Sequence, residues 1–142
     1  MKRLLLLVAA GAAVAAFLAW PRLNSVETGK TPEYPDLQPR EYAAGEAEVT
    51  KAVKAAIGHL SRFELVGAGR GPGGSEIQAV ATTPVLRFKD DVSIRIRREG
   101  GKTKVGVKSR SRVGQIDFGQ NARNVRELLA ALDQEMGAGG AR

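Results

Sequence analysis

The hydrophobic pattern opens with one long run: Leu4 to Trp20 carries no charged residue, with Met1-Lys2-Arg3 before it and Pro21-Arg22 after it. A basic start followed by an apolar stretch is the layout of an export or anchoring segment. Its seventeen residues make about 26 Å of helix, within the range that spans a hydrocarbon core. Ala13-Val14-Ala15 and Val14-Ala15-Ala16 offer small-residue cleavage sites. The apolar run continues past both through Phe17, Leu18 and Trp20, which favours an uncleaved anchor over a cleaved signal. Lys2 and Arg3 keep that end cytoplasmic, so the rest of the chain is expected beyond the inner (cytoplasmic) membrane. It is then a single-pass protein with its domain in the periplasm or outside, or a periplasmic protein after cleavage.

Residues 23–45 show no hydrophobic period, and with Pro32, Pro35 and Pro39 among scattered charges they read as an extended linker. Helical spacing starts at Glu46. Val49, Val53, Ile57 and Leu60 fall on one side and Lys51 and Lys54 on another, which predicts an amphipathic helix over 46–60. Phe63 and Leu65 read as a short strand, Gly67 to Gly74 as a loop, and Glu76 to Thr82 as a strand with Ile77, Ala79 and Ala81 on one face.

Glu99-Gly100-Gly101-Lys102 then sits between two alternating runs, and Gly-Gly suits the positive φ of a two-residue hairpin turn. Placing Glu99 across from Lys102 sets Ile96 opposite Val105, Ile94 opposite Val107 and Val92 opposite Ser109, a nearly continuous apolar face. The other face receives Arg97 across from Lys104, Ser93 across from Lys108 and Arg95 beside Gly106. Like charges facing each other weaken a sheet unless solvent or an anion covers them. Asp117 with Gln120 three residues on fits a capping-box start, and Val125, Leu128, Leu129 and Leu132 form the buried stripe of a helix ending before Gly137. Residues 137–142 read as a disordered tail. The fold class is α+β. An N-terminal transmembrane or signal helix over 1–22 precedes a small two-layer domain over 46–136, with an antiparallel sheet of about four strands and two packed helices.

Composition narrows the chemistry. The 142 residues include no cysteine and a single histidine, His59, which removes disulfides, sulfur-based zinc sites and multi-histidine metal sites. His59 closes the first helix, where a side chain of its kind meets the last carbonyls. A formal net charge of +7 invites a nucleic-acid reading. Twelve cations against four carboxylates lie between residues 87 and 126, however, so the excess belongs to the hairpin and the corner after it. With seven aromatic residues and no stacking platform, nucleic acid ranks last among partners. What remains is a basic sheet face of Arg95, Arg97, Lys104 and Lys108. The stretch Gly67 to Gly74 lacks the lysine and the strand-turn-helix setting of a phosphate loop, and no cofactor is expected.

Phe88-Lys89-Asp90-Asp91-Val92, then Lys108-Ser109-Arg110-Ser111-Arg112-Val113-Gly114, then Asp117-Phe118-Gly119-Gln120-Asn121-Ala122 resemble the bacterial Domain of Unknown Function fourteen ninety-nine family. That family's pattern joins a Phe-x-Asp-Asp-Val strand start to an Arg-Ser-x-Ser-Arg-Val-Gly-x-x-Asp-x-Gly-x-Asn run. The likeness extends more loosely to Tyr34-Pro35-Asp36. Lys108 and Asn124 depart from it by standing where the pattern has arginine, and either change weakens a bidentate grip on an anion. The resemblance implies a compact, envelope-associated domain with no assigned activity.

Read as chemistry, Asp90, Asp91, Ser109, Arg110, Ser111, Arg112, Asp117 and Asn121 form a polar cluster drawn from a strand start, a strand end and a helix N-terminus. The hairpin register puts Asp91 across from Arg110 as an ion pair. In a structural reading Asp90 and Asp91 neutralise Arg110 or Arg112, Asp117 caps the helix, and Gly114 and Gly119 permit turns. In a functional one Ser109, Ser111, Arg112 and the backbone N–H groups near Asn121 form an anion pocket, for which a capping Asp117 would compete. An enzyme reading makes Asp90 or Asp91 a general base or metal ligand and Ser111 a nucleophile, with no histidine beside them. The expectation is a membrane-anchored, non-enzymatic module that binds an anionic lipid, a glycan or an envelope protein through its basic face. A hydrolase-like enzyme is the alternative.

Overall fold

The computed structural model describes residues 20–140 together with residues 12, 14 and 15. The anchor or signal segment expected over 1–22 therefore lies almost wholly outside the described residues. Among those described, no helix is long and apolar enough to cross a membrane. In chain order the elements are β1 (Ser25–Glu27), β2 (Arg40–Tyr42), α1 (Glu46–His59), β3 (Phe63–Gly71), β4 (Gly74–Thr82), β5 (Lys89–Glu99), β6 (Lys102–Ser111) and α2 (Gln120–Gly140). The strands make one antiparallel sheet in the order β1-β6-β5-β4-β3, with β2 also paired to β6.

The β5–β6 hairpin has the register its turn predicts, from Glu99 opposite Lys102 down to Asp91 opposite Arg110. Gly100 and Gly101 take φ of +58° and +79°, the left-handed geometry of a primed turn. Period-2 alternation then separates two environments. Val92, Ile94 and Ile96 on β5, Val105 and Val107 on β6, and Ile77, Ala79 and Ala81 on β4 are buried beneath the helices. Against them α1 sets Val49, Val53, Ala56 and Ile57, and α2 sets Ala122, Val125, Leu128, Leu129 and Leu132. Each such Leu or Ile contributes about 1.5–3 kcal/mol relative to exposure, so this layer holds the fold. Glu46 and Glu48 lie in the first turn of α1, where the helix dipole favours carboxylates.

Four expectations are corrected. The sheet has six strands, not four, because the stretch read as a linker forms β1 and β2. Both lie along the outer edge of β6: Ser25–Glu27 run against Arg110–Lys108, and Arg40–Tyr42 against Val105–Thr103. They amount to one edge strand interrupted by an excursion over residues 28–39. Val26 is fully buried and Leu37 nearly so. The Gly-rich stretch read as a loop is most of β3, whose backbone pairs with β4 as far as Gly71 opposite Gly74, with a bulge between Leu65 and Gly67. As an edge strand buried mainly at Phe63, it has no alternation to display. At the other end, α2 continues to Gly140, past the Gly137 where a tail was expected. His59 also departs from expectation, since its Nε2 lies 3.0 Å from Glu135 Oε1 of α2.

Candidate functional site

Where β5 begins, β6 ends and α2 starts, polar side chains meet inside the molecule. Asp90, Ser109, Asn121 and Asn124 are all buried. Ser109 Oγ donates to Asn121 Oδ1 at 2.7 Å. Asn121 Nδ2 faces three acceptors, the Asn24 carbonyl (2.9 Å), Ser111 Oγ (2.8 Å) and Asp117 Oδ2 (2.7 Å). Asn124 Nδ2 donates to Asp90 Oδ2 at 2.7 Å and Ser109 Oγ at 3.1 Å, while its Oδ1 accepts from Arg62 Nη2 and Gln120 Nε2. Asp117 accepts the backbone N–H groups of Gly119 (2.9 Å) and Asn121 (3.2 Å) and so caps α2. The cap is one-sided. Gln120 turns to Asn124 instead of reaching back, and the Asp117 N–H goes to the Leu23 carbonyl, so the reciprocal capping box is not made. Among the described residues, no buried side-chain N or O atom lacks a partner.

On the surface beside this knot, Asp91 pairs with Arg112 through contacts of 2.7–3.1 Å. The expected partner, Arg110, does lie directly across from Asp91, but the diagonal neighbour has the reach and the bidentate geometry. The charge-assisted bonds that the Arg112 guanidinium donates to Asp91 hold it above its ordinary pKa.

The sheet face away from the helices is open, and Arg95, Arg97, Lys104 and Lys108 stand on it around the bare backbone of Gly106. The excursion over 28–39 raises a wall along one side through Thr28, Lys30 and Pro39, and Glu76 and Gln78 of β4 border the other, enclosing about 400 Å³. Thr28 pins the wall to β6, its N–H donating to the Val107 carbonyl and its Oγ1 accepting the Val107 N–H, both at 3.0 Å. From α2, Arg126 holds Asp36 with two bonds of 3.1 Å and lies over the Tyr34 ring, and Asp133 takes Arg40 and the Tyr42 hydroxyl. Burial, and then the Asp133 carboxylate, push the Tyr42 phenol well above its ordinary pKa. Arg97 and Lys104 share Glu99 at 3.1 and 3.9 Å, and Arg95 meets Glu76 at 3.6 Å. Among the described residues, Lys108 and Arg110 have no carboxylate partner.

A family model described as "Protein of unknown function (DUF1499)" matches residues 18–132. The chain belongs to this family. The DUF1499 match takes in β1, β2 and the excursion along with the hairpin and α2, so the edge strand and the wall it carries are part of the family's domain. No curated protein matches the chain. Among solved structures, the crystal structure of TTHA0849 from Thermus thermophilus is similar at 15% identity and a TM-score of 0.41, covering 81% of this chain and 98% of that one.

Within this DUF1499 domain, the residues singled out from sequence separate into three groups. Asp90, Ser109, Ser111, Asp117 and Asn121 join one network. Asp91 and Arg112 pair beside it, and Arg110 stands apart on the open face. The donors proposed for an anion pocket are already engaged, since Asp117 holds the N–H groups at the start of α2 and Ser109 is sealed inside. Sequence reasoning missed Asn24 and Arg62, gave Gln120 a capping role where it bonds Asn124, and took Asn124 for a departure from a pattern only. An amide three residues after Asn121, on the apolar side of a helix, was the available signal.

Burial raises the Asp90 carboxyl above the ordinary carboxylate range, against the hydrogen bonds from Asn124 and Ser111, with Asp117 adding to the rise and Arg62 opposing it. A raised folded pKa means that the folded state holds this proton more tightly than the unfolded chain. Asp90 therefore takes stability away as pH climbs from about 4 towards its folded pKa, with a slope of at most about 1.4 kcal/mol per pH unit. In Asp90→Asn that slope is expected to vanish. Urea denaturation across this pH range should show the variant gaining on the parent as pH rises, and parallel curves would refute the assignment.

Proposed function

We propose that this DUF1499 domain is a binding module held beyond the cytoplasmic membrane by its first segment, and that its open sheet face takes an anionic envelope component or an acidic partner protein. One observation carries the reading: five cations against two carboxylates line the concavity over Gly106. Lys108, on its floor, has no carboxylate partner among the described residues. An excess of cations around a walled hollow focuses a positive potential even where most of them share a carboxylate, and a glycine floor lets a ligand approach the backbone. The apolar run of residues 4–20 and the cations at 2 and 3 support the location.

The hydrolase-like alternative has less to stand on. Ser111 and Asp90 are committed to each other, to Asn121 and to Asn124, and Asp91 to Arg112. Among the described residues, no three His, Cys, Asp or Glu side chains are grouped to hold a metal ion.

Calorimetry of the full chain in non-ionic detergent tests the binding reading, with short-chain phosphatidylglycerol and a phosphorylated oligosaccharide as probes at low and high salt. Binding should weaken with salt. The triple variant Arg95→Gln, Lys104→Gln, Lys108→Gln should lose at least about tenfold, since each surface cation is worth about 1 kcal/mol. Equal binding by parent and triple variant, or none by either, defeats the reading. Any soluble form must begin before Ser25, because a start at residue 46, where the sequence places the domain, strips β1 and β2 from the sheet and Val26 and Leu37 from the core.

A further inference from the structure

The end of the molecule where the chain enters is apolar on its outside. The loop after β4 exposes Val85 (94%), Leu86 (69%) and Phe88 (45%), and the loop after β6 exposes Val113 (59%). The two loops form the lips of one groove of about 460 Å³ with Asp90 and Ser111 in its lining. Scattered exposed apolar residues are ordinary, but four on adjoining loops at one end make a patch that marks a contact. The entering chain is fastened to the same place. The Leu23 carbonyl accepts the Asp117 N–H, Asn24 Nδ2 donates to the Gly114 carbonyl, and the Trp20 ring lies against Gly119. Trp20, where the uncharged run of residues 4–20 joins the domain, thus lies beside the patch, and the turn of the β5–β6 hairpin lies at the far end of the sheet. Exposed cations flank the apolar tips: Arg22, Arg87, Lys89 and Arg123.

We propose that the loops 83–88 and 113–118 rest in the interfacial layer of the membrane, so that the domain sits on the lipid surface by this end and does not swing free on its first segment. Val85, Leu86, Phe88 and Val113 enter the acyl boundary and the four cations meet anionic headgroups. The sheet then stands away from the bilayer, and its basic concavity faces sideways. This rests on the membrane location proposed above, and the test separates the two.

The chain has no cysteine, so one introduced thiol carries a unique label. Full-length Val85→Cys and Lys102→Cys, each bearing an environment-sensitive dye, are incorporated into vesicles of phosphatidylethanolamine and phosphatidylglycerol. The dye at position 85 should emit to the blue and be quenched by spin-labelled lipid, and the dye at 102 should do neither. Adding Leu86→Asp to Val85→Cys should return the first dye towards its emission in water. A water-like dye at 85 in protein that floats with the vesicles overturns the docking alone. Failure to float overturns the membrane location and the docking with it. A blue shift without lipid quenching means that a second copy of the chain covers the patch, which also overturns the proposal.

Discussion

Replacing Asn121 by aspartate is expected to destabilise the domain by about 3–5 kcal/mol, a large part of the 5–15 kcal/mol that holds a typical domain folded. The side chain stays the same size, so packing is not the cause. Around Nδ2 stand a backbone carbonyl, a serine hydroxyl and the Asp117 carboxylate, all within 2.9 Å. An amide nitrogen donates to this set. A carboxylate oxygen in its place accepts, faces the Asp117 charge at close range, and leaves the Asn24 carbonyl with the Ser111 N–H alone. Burial keeps water from screening the repulsion. Asn121→Ala loses the same bonds without adding a charge, so its cost is expected to be smaller, about 2–3 kcal/mol. For a domain of this size the aspartate variant should melt about 10–20 °C below the parent, measured by circular dichroism at neutral pH. Acidification should recover part of the loss, because protonating either carboxylate restores a donor. An aspartate variant as stable as the alanine variant would mean that the Asn121 amide is turned the other way.

The parts of this architecture that were legible in the sequence are those whose signal is local and periodic. Two glycines at one turn fixed ten residue pairs of the β5–β6 hairpin, because the apolar alternation on both strands agrees with a single register. The basic face followed from the same register, by parity. The edge strand did not. Three residues cannot show a period, and Ser25–Glu27 and Arg40–Tyr42 are held in place by the free edge of β6, a partner some sixty to eighty-five residues away in sequence. The wall of the concavity was hidden for the same reason, since its anchors Thr28, Asp36 and Tyr42 meet Val107, Arg126 and Asp133 only after folding. The polar residues of the corner could be named in advance. Whether they enclose a ligand or one another depended on Asn124, one turn further along α2, and on Arg62, which reaches in from the turn before β3, a stretch the motif does not contain.

Gly74→Ala is expected to cost about 3 kcal/mol or more, and the reason bears on how the Gly-rich stretch was misread. Gly74 has φ of +118°, and a Cβ built there lies 2.2 Å from the Ile96 carbonyl oxygen and 3.1 Å from Arg97 Cβ. The backbone conformation alone costs about 1–3 kcal/mol for an L side chain. The contact adds to it, because the obstacle is a backbone atom of the neighbouring strand and gives way only if β4 lifts from β5. Gly73, one residue earlier, has ordinary φ, and a Cβ there meets Arg95 Cδ at 3.6 Å, an ordinary contact. Gly73→Ala should therefore lie within about 0.5 kcal/mol of the parent. Gly69→Ala meets nothing within 4 Å and should behave the same way. Urea midpoints for the three variants separate the two accounts of this stretch. A flexible loop would tolerate all three alike, whereas a strand leading into a tight turn tolerates two and rejects the third. Lifting β4 at Gly74 also displaces Glu76 from Arg95 on the open face, so Gly74→Ala should alter the anion binding proposed for that face while Gly69→Ala leaves it unchanged.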